Sequence, residues 1–169
     1  MKRALNYIFI GFFAAIFLAC SVNYSFTGTS IAPEIKTFSV EYFPNKSQLV
    51  NPNLSNALTE GLKEKFLSQT KLELVDERGD LEFSGLITGY RVKPMAITAG
   101  EVAATNRLSV VVKVKFVNNV DHEQDFNKDF EAYSDYSSNS LLSDVEDELI
   151  ELIVEDLTED IFNKSAANW

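Results

Sequence analysis

N-R-L-S-V-V-V-K-V-K-F-V, Asn106 to Val117, carries two unlike faces. Leu108, Val110, Val112, Val114 and Phe116 fall on one side, and Arg107, Ser109, Lys113 and Lys115 on the other. A period of two held this long is the mark of a strand buried on one face and wet on the other. The run N-N-V-D-H-E then turns into a partner strand, Asp125 to Tyr136, with Phe126, Phe130 and Ala132 inward. Folding the two as a hairpin sets Lys113 beside Asp129, an ordinary cross-strand ion pair. Upstream, L-E-F-S-G-L-I-T-G-Y-R-V-K-P, Leu81 to Pro94, begins with Leu81 and Phe83 inward. Its Gly85 and Gly89 point to a bulge or a tightly packed backbone. Residues 95 to 104 read as a loop whose alanine, isoleucine and valine side chains offer a contact surface.

Further out, Ile35 to Phe43 alternates, with Phe38, Val40 and Tyr42 on one face, and reads as a first strand. Asn51 is placed as an N-cap with Pro52 at the first helical position. Leu54, Leu58, Leu62 and Phe66 then recur every four residues, one stripe of an amphipathic helix in which Gly61 allows close approach to the sheet. Leu72 to Val75 is a short apolar segment before the turn D-E-R-G-D. The chain ends in a long helix, Leu141 to Asn163, with Leu142, Val145, Leu149, Ile153, Leu157 and Ile161 inward. Acids cover its remaining faces, which reads as a solvated surface. The order β-α-β-β-β-α predicts an α+β fold: a mostly antiparallel four-stranded sheet with two amphipathic helices packed on one face.

The N-terminus has its own pattern. Lys2 and Arg3 precede an apolar stretch from Ala4 to Ala19, and Cys20, the one cysteine, follows. That order is a secretory signal peptide over residues 1–19, too short for the roughly 20 residues of a membrane-spanning helix. The box F-L-A-C, Phe17 to Cys20, ends as a lipoprotein signal does, although Phe17 stands where a leucine is usual. Acyl chains on Cys20 anchor the protein, since each buried methylene contributes about 0.8 kcal/mol. An uncleaved anchor, or a secreted protein with an incidental cysteine, are the alternatives. Ser21 in place of an aspartate favours the outer membrane, and the absence of an acidic run after Cys20 favours the periplasmic side. Residues 20–34 form a lipidated N-terminus and tether, and residues 35–169 a single α+β domain.

Removing residues 1–19 leaves 13 basic against 25 acidic side chains, a formal charge of −12. Nucleic acid is a poor partner for such a chain, because phosphate binding draws on clusters of Lys and Arg. The sole histidine, His122, lies in a turn with no second histidine or free cysteine to join it. Zinc and nucleophilic sites of the usual kinds are therefore not expected. The glycines of G-L-I-T-G lie inside a strand, so no phosphate-cradling loop precedes a helix. No catalytic residues, metal or cofactor are assigned, and a binding or assembly role is expected.

Several stretches carry a resemblance. Y-S-F-T-G-T-S-I, Tyr24 to Ile31, follows the cysteine; N-L-S-N-A-L-T-E-G-L-K-E-K-F forms the first helix; G-D-L-E-F-S-G-L-I-T-G-Y, Gly79 to Tyr90, carries most weight. On these the chain resembles the LptE family of lipopolysaccharide-assembly lipoproteins, in its divergent LptE-like form. The resemblance implies an outer-membrane lipoprotein that associates with and plugs the β-barrel LptD. It also implies support for barrel assembly and for lipopolysaccharide transport to the outer leaflet, without catalysis. Lipopolysaccharide carries phosphates, and Arg91 and Lys93 match best in position for contacting them; two solvated charges at a strand end are the plainer reading. A periplasmic lipid carrier with an apolar pocket between sheet and helices stays open, as does an accessory lipoprotein of another envelope transport machine. Intact mass of the mature protein checks the anchor: an N-terminal Cys20 bearing acyl chains is expected, and its loss in Cys20→Ala.

Overall fold

The computed structural model describes residues 31–49, 51–95 and 104–166. The expected signal peptide, Cys20, the expected tether up to residue 30, residue 50, residues 96–103 of the expected loop and residues 167–169 lie outside them. The described elements are β1 (Thr37–Val40), α1 (Leu54–Gln69), β2 (Glu73–Leu74), β3 (Leu81–Pro94), β4 (Thr105–Asn118), β5 (Phe126–Ser137) and α2 (Leu142–Ala166). The strands lie in the order β2-β1-β3-β4-β5. The α+β architecture is as expected, but the sheet has five strands, not four. The extra one comes from the segment after α1: Glu73 and Leu74 pair in parallel with Thr37 and Phe38. Two residues are too few to show a period of two, which is why the strand escapes a reading of sequence pattern.

Antiparallel pairing dominates through the two long ladders, β3–β4 and β4–β5, while β1 joins β3 and β2 in parallel. In the β4–β5 ladder Lys113 does stand opposite Asp129. No ion pair closes between them among the described residues; the pair that forms across these strands is Arg107 with Asp135, at 2.7 Å. Alternation works as expected along β4: Leu108, Val110, Val112 and Val114 are fully buried, and Lys113 and Lys115 exposed. On β5, Phe130 and Ala132 are buried and Phe126 is partly so.

The first strand is shorter than its alternation suggests. It stops at Val40, and the chain then kinks before Asn45 bridges Ile87 on β3. The kink turns Tyr42 out to 57 % exposure and drives Phe43 inward to 0 %. Phe43 finds its seat over Gly85, where a Cβ would lie 2.8 Å from its ring and 2.1 Å from the Lys113 carbonyl. Gly85 is therefore a close-approach glycine within a regular stretch of the β3–β4 ladder.

The helix α1 buries its expected stripe completely: Leu54, Leu58, Leu62 and Phe66 are all at 0 % exposure. Regular helix begins at Leu54, so the N-cap position falls on Asn53, whose side chain makes no capping bond. The expected cap, Asn51, stands two residues earlier and supplies the bonds instead. The Asn51 side-chain oxygen accepts from the N–H groups of Asn53 (2.8 Å) and Leu54 (3.2 Å), two donors that the first turn leaves free. Gly61 admits α2 and not the sheet: a Cβ there would lie 2.9 Å from Val154. The helix α2 runs three residues past its expected end and buries a wider face, with Ile150, Val154 and Phe162 added to the expected stripe. Among the described residues, no helix is long and apolar enough to cross a membrane.

Phenylalanines tie the layers together. Phe66 lies 5.3 Å from Phe38, 4.7 Å from Phe83 and 5.0 Å from Phe162, ring centre to ring centre. The contacts continue from Phe83 to Phe116 and Phe126, each step 5.0 Å, so one helical side chain links β1, β3 and α2. Such pairs add about 0.5–1.5 kcal/mol each to the area they bury.

Asp80 fastens the start of β3 to β1. Its carboxylate accepts from the N–H groups of Lys36 (2.7 Å) and Thr37 (2.9 Å) and from the Thr37 hydroxyl (3.1 Å). These bonds, the Lys36 amide foremost, hold its pKa below the ordinary aspartate value. Two outcomes follow from this packing. Phe66→Ala costs about 3–5 kcal/mol in urea unfolding, because the hub of the ring chain becomes a cavity. Asp80→Asn costs about 1 kcal/mol near neutral pH. The Asp80 contribution is complete above the unfolded carboxylate value near pH ~4 and fades as pH falls through the depressed folded value. The gap between wild type and Asp80→Asn therefore narrows in acid.

Candidate functional site

The side chains of β3 switch faces once. Leu81, Phe83 and Ile87, all odd-numbered, are buried, and the pairing with β4 then slips by one residue between Ile87 and Gly89. Thr88 is the extra residue of this bulge and is exposed. Beyond it the even positions turn inward: Tyr90 is buried and Val92 packs against the core. An unbroken period of two would have driven Arg91 and Lys93 into the core. The bulge places both on the open face, exposed, opposite Ser109 and Arg107 of β4.

Tyr90 holds the far side of the switch. Its hydroxyl donates to a carboxylate oxygen of Glu146 in the second turn of α2, and burial pushes its pKa up, with that hydrogen bond adding to the shift. The sheet end that carries Arg91 and Lys93 is thereby pinned to the helix behind it.

A groove runs beside this end. The segment after β1 follows β3 only as far as Ile87, with Lys46 N–H donating to the Ile87 carbonyl at 2.9 Å. Past that point Lys46, Gln48 and Leu49 face β3 across a groove of about 570 Å³ whose other wall includes Arg91 and Lys93. The Met95 N–H donates to the Thr105 carbonyl at 2.9 Å, so the odd residues of this part of β3 are the ones bonded to β4. Tyr90 and Val92 therefore turn their backbone N–H groups towards the groove. Among the described residues, Lys46, Arg91 and Lys93 make no ion pair within 4.0 Å.

Arg107 is different. Asp135 grips it with two hydrogen bonds of 2.7 and 2.8 Å, and its guanidinium lies 3.6 Å from the centre of the Tyr133 ring. The contact holds the Asp135 carboxyl below its usual range and raises Arg107. Three cations without a carboxylate partner among the described residues, beside amides that make no bond to β4, suit an anion such as a phosphate.

Arg91 and Lys93 thus come together with one residue that sequence reasoning missed. Lys46 follows Pro44 and Asn45, and nothing in the local sequence distinguishes it from any solvated lysine. Only the bridge from Asn45 to Ile87 brings it across. His122 sits exposed in the short 3-10 turn between β4 and β5, 3.1 Å from Asp125. Among the described residues, no three His, Cys, Asp or Glu side chains are grouped to hold a metal.

The LptE family model, described as lipopolysaccharide-assembly, matches residues 35–165. The chain belongs to the LptE family. Membership makes it an envelope protein of lipopolysaccharide assembly. No curated protein matches it. Among solved structures, a hypothetical protein from Chlamydia trachomatis shares the fold at 13 % identity and a TM-score of 0.52, over 76 % of this chain and 94 % of that one. A minor lipoprotein from Acinetobacter baumannii aligns at 13 % identity and a TM-score of 0.47, over 78 % and 92 %. The rare lipoprotein B of Shewanella oneidensis aligns at 14 % and 0.46, over 74 % and 91 %.

Proposed function

We propose that this LptE-family chain is an outer-membrane lipoprotein, held through Cys20 and facing the periplasm. It associates with and plugs an LptD-type β-barrel, supporting barrel assembly and the passage of lipopolysaccharide to the outer leaflet. Its action is non-enzymatic. The observation that carries this reading is the cationic groove of Lys46, Arg91 and Lys93, a local basic site on a chain whose formal charge is −10. Bulk charge repels an anionic glycolipid, so binding has to come from a local cluster, and this cluster is of a size to receive a phosphate.

A lipid-carrier role is disfavoured by the packing. The sheet–helix interface is occupied by fully buried Leu58, Leu62, Phe66, Val112 and Val114, side chains of core type with no polar group to orient a lipid headgroup. The test has two arms. Tagged, lipidated protein drawn from solubilised membranes is expected to bring a large β-barrel with it; a solitary monomer in gentle detergent overturns the barrel role. The double variant Arg91→Glu, Lys93→Glu is expected to keep the barrel and retain lipopolysaccharide about tenfold less well. Equal retention removes the groove from the ligand site.

A further inference from the structure

We propose that the free edge of β5 is a docking site for an extended, lysine- or arginine-bearing segment of a partner protein, which adds to the sheet as a sixth strand. Among the described residues, the order β2-β1-β3-β4-β5 places β2 and β5 at the edges, besides the short end of β3 that opens on the groove; β2 offers only two residues and β5 offers Phe126–Ser137. The direction of the free backbone groups follows from the ladder. Ser138 N–H donates to the Ala104 carbonyl at 3.1 Å, continuing the register in which Thr105 faces Ser137. Even-numbered residues of β5 are thus the ones bonded to β4. Asn127, Asp129, Glu131, Tyr133 and Asp135 present their N–H and C=O groups outward.

Sheet edges are commonly blunted by a proline, a bulge, a short strand or an outward lysine. The residues of β5 include no proline, and its register with β4 runs unbroken from Phe126 to Ser137. Its lysine, Lys128, lies 5.2 Å from the centre of the Phe130 ring, an inward-facing residue, and so does not stand guard on the open face. The backbone of this edge is open to strand addition.

Charge selects the occupant. The side chains of an added strand alternate between the two faces of the sheet. On the open face they meet Asp129 and Glu131, both exposed and, among the described residues, without an ion-pair partner. Behind the sheet they meet a groove of about 600 Å³ between β5 and α2, to which α2 contributes Asp156, Glu159 and Asp160. Among the described residues, only Glu159 of these is engaged, by Lys65 at 3.1 Å. The acids of β5 have the cations Lys113 and Arg107 on their β4 side and, among the described residues, no strand on the other. A second copy of this chain, paired edge to edge, sets acid against acid. A cationic segment instead meets opposite charge on both faces, with exposed Tyr133 as an apolar platform between.

The experiment uses the full mature chain, isotope-labelled, in detergent. The probe is a synthetic peptide of roughly ten residues alternating lysine with valine and threonine, and its twin has glutamate for lysine. Saturable amide shifts centred on Asp129 to Asp135 are expected with the lysine peptide and none with its twin. Glu131→Pro deletes one outward N–H while sparing the β4 ladder, and is expected to weaken binding by about tenfold or more. Should that variant fail to fold, Asp129→Lys with Glu131→Lys is read in its place and is expected to exchange the preference from the lysine peptide to its twin. Three results overturn the proposal: no binding, shifts confined to the acids of α2, or a self-associated dimer that Glu131→Pro dissolves. None of them bears on the groove at Arg91 and Lys93.

Discussion

Along β3 the odd positions are buried from Leu81 to Ile87, and one extra residue, Thr88, then hands the core to the even ones. Burying two unpaired cations costs far more than a local break in a ladder. The break therefore resolves a conflict between the period of two and the composition of Y-R-V-K-P. Nearby features depend on it. Tyr90 reaches Glu146 only because it faces the helices, and the groove is basic only because Arg91 and Lys93 do not. Gly89 belongs to the same device, since a Cβ there would press the Val111 side chain at 3.1 Å.

The stretch G-D-L-E-F-S-G-L-I-T-G-Y, on which the family resemblance chiefly rests, proves to be mechanical. Asp80 ties β3 to β1, Gly85 seats Phe43, and Tyr90 closes onto α2. The ligand candidates lie just outside it, in the two cations that follow and in Lys46 from a separate segment. Within this family pattern, likeness in the motif speaks for the architecture, while the proposed ligand contacts are side chains at its margin.

The two faces of the sheet divide the work. One is sealed by the phenylalanine chain running from Phe38 through Phe66 to Phe83, Phe116 and Phe126, with Phe162 closing from α2. The other is a polar surface in which charge is sorted by strand, cations on β4 and acids on β5. A chain of strong negative charge thus keeps local regions of both signs, which is what a protein needs to meet chemically different neighbours.

Periodicity in the chain was enough for both helices and the three long strands, and the turn between β4 and β5 set Lys113 against Asp129. The glycines of β3 pointed to a bulge or a tightly packed backbone, and the strand has both, the bulge before Gly89 and the close approach at Gly85. These are local properties: a face of a helix or strand is written in residues two, three or four apart. Tertiary structure alone decided the rest. The strand β2 exists because α1 returns the chain beside β1, and Tyr42 and Phe43 exchange places because Gly85 leaves a seat for a ring. Lys46 joins Arg91 and Lys93 across more than forty residues, through a bridge that no spacing announces. Contacts of that range depend on which strands become neighbours, and neighbours are chosen by how the whole core packs.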